Sequence, residues 1–429
     1  MTIKRRVAIT GLGVVSPLGN CVSSTWNNLL NGESGISVIQ QFDASKFTTN
    51  IAAEVKDFTP NPILRTKHNR FASKFTYFAL DAALQAVTDA KFATNPCAER
   101  FGVVTGSGMM TAEYEFLERF QKTCAIDGSI NWSTLEAKSQ DFYNLYDFGS
   151  TTSNTGLALL IQQFGIKGYA SAVHTACASG GQALGLAMRV IQRGDADVML
   201  SGGFDSMINP LGLSSFCLLG ALSTYNETPT TASRPFDKTR NGFVLGEGAA
   251  FLVLEEWEHA KARNAKIYAE LAGEGNTLSS YRITDSHPNG DGAIQAINNA
   301  INDAKLSYHD VDYINAHGTS TKMNDLSETN AIKAVFKEKA MSIPVSSTKG
   351  QTGHLIAAAG ALEAVISVLS IENATILKTA NLKNPDPDCD LDYIVDGPRE
   401  KSVGVVLSNS FGFGGSNSCL LFKHPEFGG

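Results

Sequence analysis

Short apolar runs, most of which end in glycine, alternate with longer helical patterns along the whole chain. This alternation limits the possible folds more than any other feature of the sequence. Strands separated by helical segments are typical of α/β layers with buried, largely parallel strands. We predict strands at residues 6–11, 101–106, 198–203, 313–318 and 403–407.

Two of these runs are alike, because residues 195–203 and 310–318 both pass from an acidic turn through an apolar strand to a glycine. Such self-similarity indicates an internal duplication. A chain of 429 residues also exceeds the usual size of a single core. We therefore predict two halves, residues 1–264 and 265–429, joined by a charged helix at 255–266. They should pack as one body, because no flexible linker lies between them.

The charge balance restricts the choice of partners. The chain has 35 basic and 42 acidic residues, a net charge of −7, which disfavours nucleic acid and anionic membranes. An acidic protein partner must therefore bind at a local basic patch. The longest apolar tract, residues 357–371, is shorter than a bilayer span and contains Glu363, so we expect no membrane insertion.

The seven cysteines form no CxxC pair and have no metal-like spacing. This pattern predicts no metal site and a reduced, cytoplasmic setting. The apolar stretch behind the N-terminal basic residues is short and is interrupted by Gly11, Gly13 and Pro17. We therefore expect no signal peptide.

Cys177 lies where an apolar run meets small residues that begin an amphipathic helix. A thiol at a helix N-terminus feels the partial positive charge of free N–H groups, which favours the thiolate and makes it a better nucleophile. The alternative is a structural cysteine, since cysteine is among the most often buried residue types. Thiol catalysis would also need a partner group.

Two histidines farther along the chain are candidate partners. His317 lies at the carboxyl end of a predicted strand, where ligands gather in open α/β sheets. His354 follows Lys349 and precedes the helix predicted at residues 357–371. Taken singly, each histidine would more often be a hydrogen-bonded structural residue. Together with Cys177, they predict thiol catalysis.

Glu363 lies inside that predicted helix, which is apolar on nearly every side. A buried carboxylate costs several kcal/mol unless an opposite charge or hydrogen-bond donors satisfy it. Lys349 is the candidate partner. The alternative is that Glu363 lies on an exposed stripe of the helix.

Several longer motifs occur in a fixed order through nearly the whole chain. They are GLGVVSPLG at 11–19, the Cys177 turn, SRPFDK at 233–238, GFVLGEG at 242–248, both histidine segments and NSFGFGGSN at 409–417. The set resembles the bacterial β-ketoacyl-acyl-carrier-protein synthases, most closely the type II elongating enzymes of the second class. This resemblance implies a thiolase-like α/β fold, in which two similar halves form a five-layered α-β-α-β-α body that is normally dimeric.

The resemblance also implies a ping-pong, decarboxylative Claisen condensation. Cys177 would hold the acyl group, and His317 and His354 would donate hydrogen bonds to the malonyl thioester carbonyl as carbon dioxide leaves. Lys349 would support this histidine pair, and Glu363 would hold Lys349. No cofactor is implied, because the substrates arrive on the phosphopantetheine arm of an acyl carrier protein.

Further site residues follow from the same resemblance. Asp325 matches an acidic position of the active-site network. The backbone N–H groups of Cys177 and Phe413 would form an oxyanion hole, and Phe413 would be a mobile gate over the acyl pocket. The implied substrate-binding positions are Thr319, Thr321 and Phe411.

Two hypotheses remain for the pathway and the partner. One is a homodimeric fatty-acid elongation enzyme, and the other is the catalytic ketosynthase of a polyketide or polyene pathway, paired with a non-catalytic homologue. Gly220 replaces an arginine that often contacts the carrier protein in the family, so docking is expected at a different surface. The candidate docking patch, expected on one helix face, consists of Arg65, Lys67, Arg70 and Lys74.

Three other classes of protein fit the sequence less well. A non-catalytic chain-length subunit of the family would lack Cys177. A degradative thiolase would need a second cysteine in the terminal glycine-rich loop, but Cys419 lies beyond residues 411–415. A cysteine protease is disfavoured, because neither its local signature nor an orienting Asn or Asp is evident.

Overall fold

A computed structural model describes residues 4–64, 70–92, 96–108, 114–142 and 145–427. Its strands are β1 (Val7–Val15), β2 (Ile36–Val38), β3 (Ile51–Ala53), β4 (Phe101–Ser107), β5 (Ala125–Ile126), β6 (Ser129–Ile130), β7 (Ala170–Val173), β8 (Val198–Asp205), β9 (Gly248–Glu256), β10 (Ala269–Leu278), β11 (Tyr313–Asn315), β12 (Pro344–Ser346), β13 (Thr375–Ile376), β14 (Asp392–Tyr393), β15 (Arg399–Glu400), β16 (Val405–Phe411) and β17 (Ser416–Lys423). Its α-helices are α1 (Val22–Leu30), α2 (Lys74–Asp89), α3 (Tyr114–Cys124), α4 (Trp132–Phe142), α5 (Leu145–Thr151), α6 (Ser153–Phe164), α7 (Ser179–Arg193), α8 (Pro210–Leu218), α9 (Trp257–Ala262), α10 (Asp291–Asp303), α11 (Lys322–Phe336), α12 (Lys349–Thr352) and α13 (Ala359–Glu372).

Each predicted run overlaps a strand: β1, β4, β8, β11 and β16. The run at 313–318 is a strand only as far as Asn315. The N–H of Ala316 still donates to Ser346 of β12, but those of His317 and Gly318 donate to the carboxylate of Glu328 rather than to a neighbouring strand. The predicted helix at 255–266 is also shorter, because β9 extends to Glu256 before α9 begins.

The main sheet has the strand order β14-β12-β11-β16-β17-β10-β1-β9-β8-β4-β7. Its outer strands are parallel, but β10, β17, β1 and β9 are antiparallel to their neighbours. The expectation of a largely parallel sheet is therefore wrong at the centre. A physical reason is visible between β16 and β17, which are joined by residues 412–415, because so short a connection can link only antiparallel strands.

The two halves share one topology, which supports the internal duplication. The strand order is β1-β9-β8-β4-β7 in the first half and β10-β17-β16-β11-β12 in the second. In both of these orders the first strand in sequence is followed across the sheet by the last, and the second and third strands in sequence lie farthest from it. Helix α7 follows β7, and α13 follows β12 after the short helix α12. The likeness between residues 195–203 and 310–318 nevertheless pairs β8 with β11, which are not equivalent. The true counterpart of β8 is β16.

The buried side chains form five layers. Helices α7 and α13 lie in the middle, where residues such as Met188 and Val365 pack with Leu252 of the first half and Leu420 of the second. The opposite face of the first half of the sheet is covered by α2 and α6. The corresponding outer face of the sheet in the second half is covered by α10 and α11. The predicted α-β-α-β-α arrangement of two similar halves is confirmed.

Helix α13 is buried along almost its whole length, which explains its nearly continuous apolar sequence. A helix covered on all sides needs no polar face. In the part of the chain that the structure describes, no helix is both long and apolar enough to cross a membrane.

Candidate active site

Cys177 lies in a tight turn immediately before α7. The turn is a 3-10 helix, Ala176–Ala178, and it begins with a positive φ of 50° at Ala176. The hydroxyl of Ser179 fixes this turn, because it accepts from the N–H of Thr175 at 2.8 Å and donates to the carbonyl of Ala176 at 2.7 Å. The sulfur is thereby held at the N-terminal end of the helix, as the sequence predicts.

The fold brings both histidines of the second half to this sulfur. His354 Nε2 lies 3.0 Å from Cys177 Sγ. The rings of His317 and His354 meet edge to face, with their centroids 5.2 Å apart. Ligand atoms of the three residues all lie within 4.8 Å of one another. Residues that are far apart in the sequence thus form one buried cluster.

Both imidazoles are neutral hydrogen-bond donors. Burial, aided by the positive charge of Lys349, lowers the pKa of His317 and of His354 well below the ordinary value. The N–H of Ile356 donates to Nδ1 of His354 at 3.3 Å. The proton of His354 is therefore on Nε2, the atom that faces Cys177.

Lys349 is fully enclosed and uses all three of its N–H groups. It donates to Nδ1 of His317 at 3.3 Å and to the carbonyl oxygen of His317 at 2.6 Å, and it forms an ion pair with Glu363. The pairing of Lys349 with Glu363 that we predict is present, and the exposed-stripe alternative is wrong because Glu363 is only 3% exposed. Burial raises the pKa of Glu363 to about 7, against the opposing effect of the Lys349 charge.

Replacing Glu363 by alanine is expected to lower the free energy of unfolding by about 3–5 kcal/mol, because the buried Lys349 ammonium would lose its counter-charge. Chemical denaturation monitored by circular dichroism measures this change. Glu258→Ala is the control, since Glu258 pairs with Lys261 on the exposed surface, and it should leave the unfolding midpoint unchanged. Equal stability of the two variants would contradict the buried pair.

Burial is the largest influence on the pKa of the Cys177 thiol. It raises the pKa of the thiol to about 12, although the Lys349 charge and the backbone N–H of Phe413 act in the opposite direction. The expectation of a resting thiolate is therefore wrong. The nucleophile is a neutral thiol, and it must release its proton during attack.

The loop of residues 412–415 covers the other side of the sulfur. The backbone N–H groups of Phe413 and of Cys177 itself both hydrogen-bond to Sγ. A Cβ at Gly412 would lie 2.8 Å from the carbonyl oxygen of Thr175, so only glycine lets this loop approach so closely. The two N–H groups expected to form an oxyanion hole therefore converge on one point.

These groups open into a single cavity of about 460 Å³. Thr319 and Thr321 line it, with their hydroxyl oxygens 3.0 Å apart. Beside the sulfur lies an apolar wall that includes Met207, Phe216 and Phe243. The sequence-predicted residues that line this cavity are Cys177, His317, His354, Thr319, Thr321, Phe411 and Phe413.

Asp325 organises the loop after His317 rather than lining the cavity. Its carboxylate accepts from the N–H groups of Phe236 and Thr319 at 2.8 and 3.0 Å. Burial raises its pKa, and the charge of Arg240 opposes this effect. Asp325 thus fixes the backbone of the loop that carries Thr319.

Glu328 is a site residue that the sequence analysis missed. Its carboxylate accepts from the N–H groups of His317 and Gly318, both at 2.8 Å, and from the Asn409 side chain at 3.0 Å. Burial raises its pKa to about 7. The available signal was its spacing of three residues from Asp325, which places both acids on one face of α11.

The described residues of the predicted docking patch, Arg70 and Lys74, do not share a helix face. Arg65 and Lys67 lie outside the described residues, and Arg70 lies in a short 3-10 turn before Lys74 begins α2. Helix α2 therefore starts too late to carry all four residues. Lys74 forms an ion pair at 2.7 Å with Glu247, which is fully buried. A docking role for this patch stays a prediction.

One cysteine and two histidines are also a ligand set that suits zinc. The Lys349 ammonium, however, lies 3.3 Å from Nδ1 of His317 and would repel a cation. The cluster is better suited to stabilising negative charge.

Comparison with known proteins agrees with this geometry. A family model for the N-terminal domain of beta-ketoacyl synthases matches residues 4–260, and one for the C-terminal domain matches residues 268–383. The chain belongs to the beta-ketoacyl synthase family. Membership makes it a condensing acyltransferase, as predicted.

Two bacterial relatives match this chain over almost their whole length. The 3-oxoacyl-[acyl-carrier-protein] synthase 2 of Coxiella burnetii is 45% identical, over 98% of this chain and 99% of its own. The Synechocystis protein of the same name is 43% identical, over 98% of both chains.

Solved ketosynthases share the whole fold. The AntDE:AntF complex, a type II polyketide ketosynthase with its acyl carrier protein, has a TM-score of 0.88 at 37% identity, covering 99% of this chain and 100% of the other. The ishigamide ketosynthase/chain length factor also has a TM-score of 0.88, at 32% identity, covering 98% and 99%.

Proposed function

We propose that this beta-ketoacyl synthase condenses an acyl group held on Cys177 with malonyl-acyl carrier protein and releases carbon dioxide. The observation that carries the proposal is the meeting of Cys177 Sγ and the Nε2–H of His354, 3.0 Å apart at the wall of the cavity. A thiol beside neutral N–H donors suits thioester exchange followed by stabilisation of an enolate.

Acylation loads the enzyme in the first half-reaction. The sulfur of Cys177 forms a bond to the thioester carbon, and the carbonyl oxygen takes the electron pair. The N–H groups of Cys177 and Phe413 hold this oxygen as an oxyanion hole. The carbon–sulfur bond to the carrier then breaks, and the proton of the thiol ends on the leaving carrier thiol.

Decarboxylation starts the second half-reaction. The bond to the malonyl carboxylate breaks, and its electron pair forms an enolate at the thioester. The Nε2–H groups of His317 and His354 stabilise the enolate oxygen. Lys349 supports them because its donation to Nδ1 of His317 leaves the proton on Nε2. Glu363 holds Lys349 in place.

Carbon–carbon bond formation completes the cycle. The enolate carbon attacks the acyl carbon on Cys177, and the carbon–sulfur bond breaks. The thiolate that leaves takes one proton from solvent, which restores the neutral thiol favoured by its high pKa. Thr319, Thr321 and Phe411 are proposed to bind the phosphopantetheine arm, and Phe413 to act as the gate of the acyl pocket. Asp325 would keep Thr319 in position, because its carboxylate accepts a hydrogen bond from the backbone N–H of Thr319.

The pathway and the assembly belong to the same proposal. The 45% and 43% identity to 3-oxoacyl-[acyl-carrier-protein] synthases supports a fatty-acid elongation enzyme, for which a homodimer is proposed. The likeness to AntDE:AntF supports the second candidate, a polyketide ketosynthase, and the likeness to the ishigamide ketosynthase/chain length factor supports its pairing with a homologue of the chain-length-factor kind. A cytoplasmic location is also proposed, and the seven unpaired cysteines support it.

A condensation assay tests the proposal. The purified chain is incubated with malonyl-carrier protein and a panel of acyl primers of increasing length, and the product masses are measured. Each accepted primer should return as a β-ketoacyl product two carbons longer. A preference for saturated fatty acyl primers would favour the elongation enzyme. Release of carbon dioxide without any extended product would contradict the proposal.

The net negative chain needs a local basic patch to bind an acidic carrier. Reversing Arg65, Lys67 and Arg70 to Glu is expected to raise KM for carrier-bound substrate and to flatten its salt dependence. Reaction with a small pantetheine thioester is the control and should stay normal. Equal KM values for the triple variant and the wild type on carrier-bound substrate would place docking elsewhere.

A further inference from the structure

The second half contains a copy of the nucleophile turn. Residues Ile356–Ala358 form a 3-10 turn directly before α13, as Ala176–Ala178 does before α7. Both turns begin with a positive φ, 50° at Ala176 and 47° at Ile356. Because α7 and α13 are equivalent in the duplicated fold, Ala357 occupies the position that Cys177 has in the first half.

The N–H groups of these equivalent residues have different partners. That of Cys177 hydrogen-bonds to its own Sγ beside the cavity, where it can hold a substrate oxygen once the sulfur is acylated. That of Ala357 donates to Oδ2 of Asp205 at 3.0 Å. Asp205 is the last residue of β8 and is only 3% exposed. In the second half, the Asp205 carboxylate therefore occupies the position that the substrate oxyanion would occupy beside Cys177 in the first half.

Asp205 is a buried acid without a basic partner. No ion pair of the described residues includes it, and within the same residues its carboxylate also accepts from the N–H of Ser206. Burial raises its pKa to about 7. A Cβ at Gly108 would lie 2.3 Å from Oδ2, so the carboxyl group is tightly enclosed. Such a group is costly to bury and needs a compensating role.

The turn that Asp205 binds is strained. A positive φ is a genuine outlier for a β-branched residue such as Ile356, and it persists only where the surroundings enforce it. The N–H of Ile356 is the group that donates to Nδ1 of His354. The strained turn therefore fixes which nitrogen of His354 carries the proton.

We infer that Asp205 is a positioning residue for His354: by holding the N–H of Ala357, it keeps the strained Ile356 turn in place and the Nε2–H of His354 directed at the reacting thioester. The inference rests on the proposed function and adds a residue to it. Among the described residues, Asp205 forms no hydrogen bond with the sulfur or the imidazole rings. It acts on His354 through the backbone, and its negative charge also raises the pKa of the Cys177 thiol.

Two partial reactions of the full-length enzyme test this role. Acylation of Cys177 is measured by intact mass, and malonyl-thioester decarboxylation by carbon dioxide release. Asp205→Ala should lower decarboxylation about 10²-fold, with a much smaller effect on acylation. Asp205→Asn should retain near wild-type decarboxylation, because the carboxamide oxygen accepts the same bond. Asp312→Ala is the matched control, since Asp312 binds the N–H groups of Gly404 and Val405 away from the cavity.

A double variant tests the inference even if Asp205→Ala alone does not fold. Glycine adopts a φ of 47° without strain, so Ile356→Gly combined with Asp205→Ala should fold and recover decarboxylation. The inference is overturned if the double variant does not fold or recovers nothing, or if Asp205→Ala affects both partial reactions equally. The proposed function itself fails only if the wild type neither becomes acylated nor releases carbon dioxide, so the two failures are distinguishable.

Discussion

Cys177→Ala is expected to abolish both acyl transfer to the enzyme and condensation while leaving the fold intact. Only the sulfur can form the acyl bond, so no residual rate of condensation should remain. The fold should tolerate alanine because Ala357 already occupies the equivalent turn of the second half. Intact mass after incubation with acyl-carrier protein reports the adduct, and circular dichroism reports the fold.

The matched control for this variant is Cys21→Ala. Cys21 caps α1, and hydrogen bonds from Ser23 and Ser24 lower the pKa of its thiol, although its partial burial acts in the opposite direction. It is therefore the natural competitor for non-specific acylation. The control should keep the adduct and full condensation. An acyl adduct that survives in Cys177→Ala would refute the nucleophile assignment.

His317→Ala and His354→Ala are each expected to lower decarboxylation by ~10²–10³ while still permitting acylation of Cys177. Each variant removes one N–H donor from the enolate oxygen, and neither histidine is needed to form the acyl bond. Carbon dioxide release from malonyl-carrier protein measures the first effect, and intact mass measures the second.

Exposed His309 provides the control for these variants, because it lies on the surface beside Glu338. His309→Ala should leave both partial reactions unchanged. Undiminished carbon dioxide release in both active-site variants would remove the histidines from the mechanism. A loss of acylation equal to the loss of decarboxylation would assign them to the first half-reaction instead.

The sequence predicts the strands and the layered fold well, because apolar runs between helical patterns depend on local periodicity. It does not predict the antiparallel centre of the sheet. Strand β9, Gly248–Glu256, is buried on both faces, so its composition resembles that of a parallel strand although its neighbours run the other way. Direction depends on connections that apolar patterning does not encode.

The reactive residues are predictable because their chemistry depends on residue type. Cys177, His317 and His354 are distinctive, and Glu363 is conspicuous within an apolar helix. Glu328 and Asp205 are not recognisable from the sequence, because they bind backbone N–H groups, which every residue except proline has. Nothing in the sequence marks which N–H groups the fold leaves without partners. The prediction that Arg70 lies on the same helix face as Lys74 is also wrong, because α2 begins only at Lys74.

The most direct test of the central claim is a time course of intact-protein mass for one sample of enzyme. Addition of acyl-carrier protein should increase the mass by one acyl group, located on the Cys177 peptide. Malonyl-carrier protein should then remove this adduct, with release of carbon dioxide and of a product two carbons longer. An adduct on another residue, or one that persists after malonyl-carrier protein is added, would contradict condensation through Cys177.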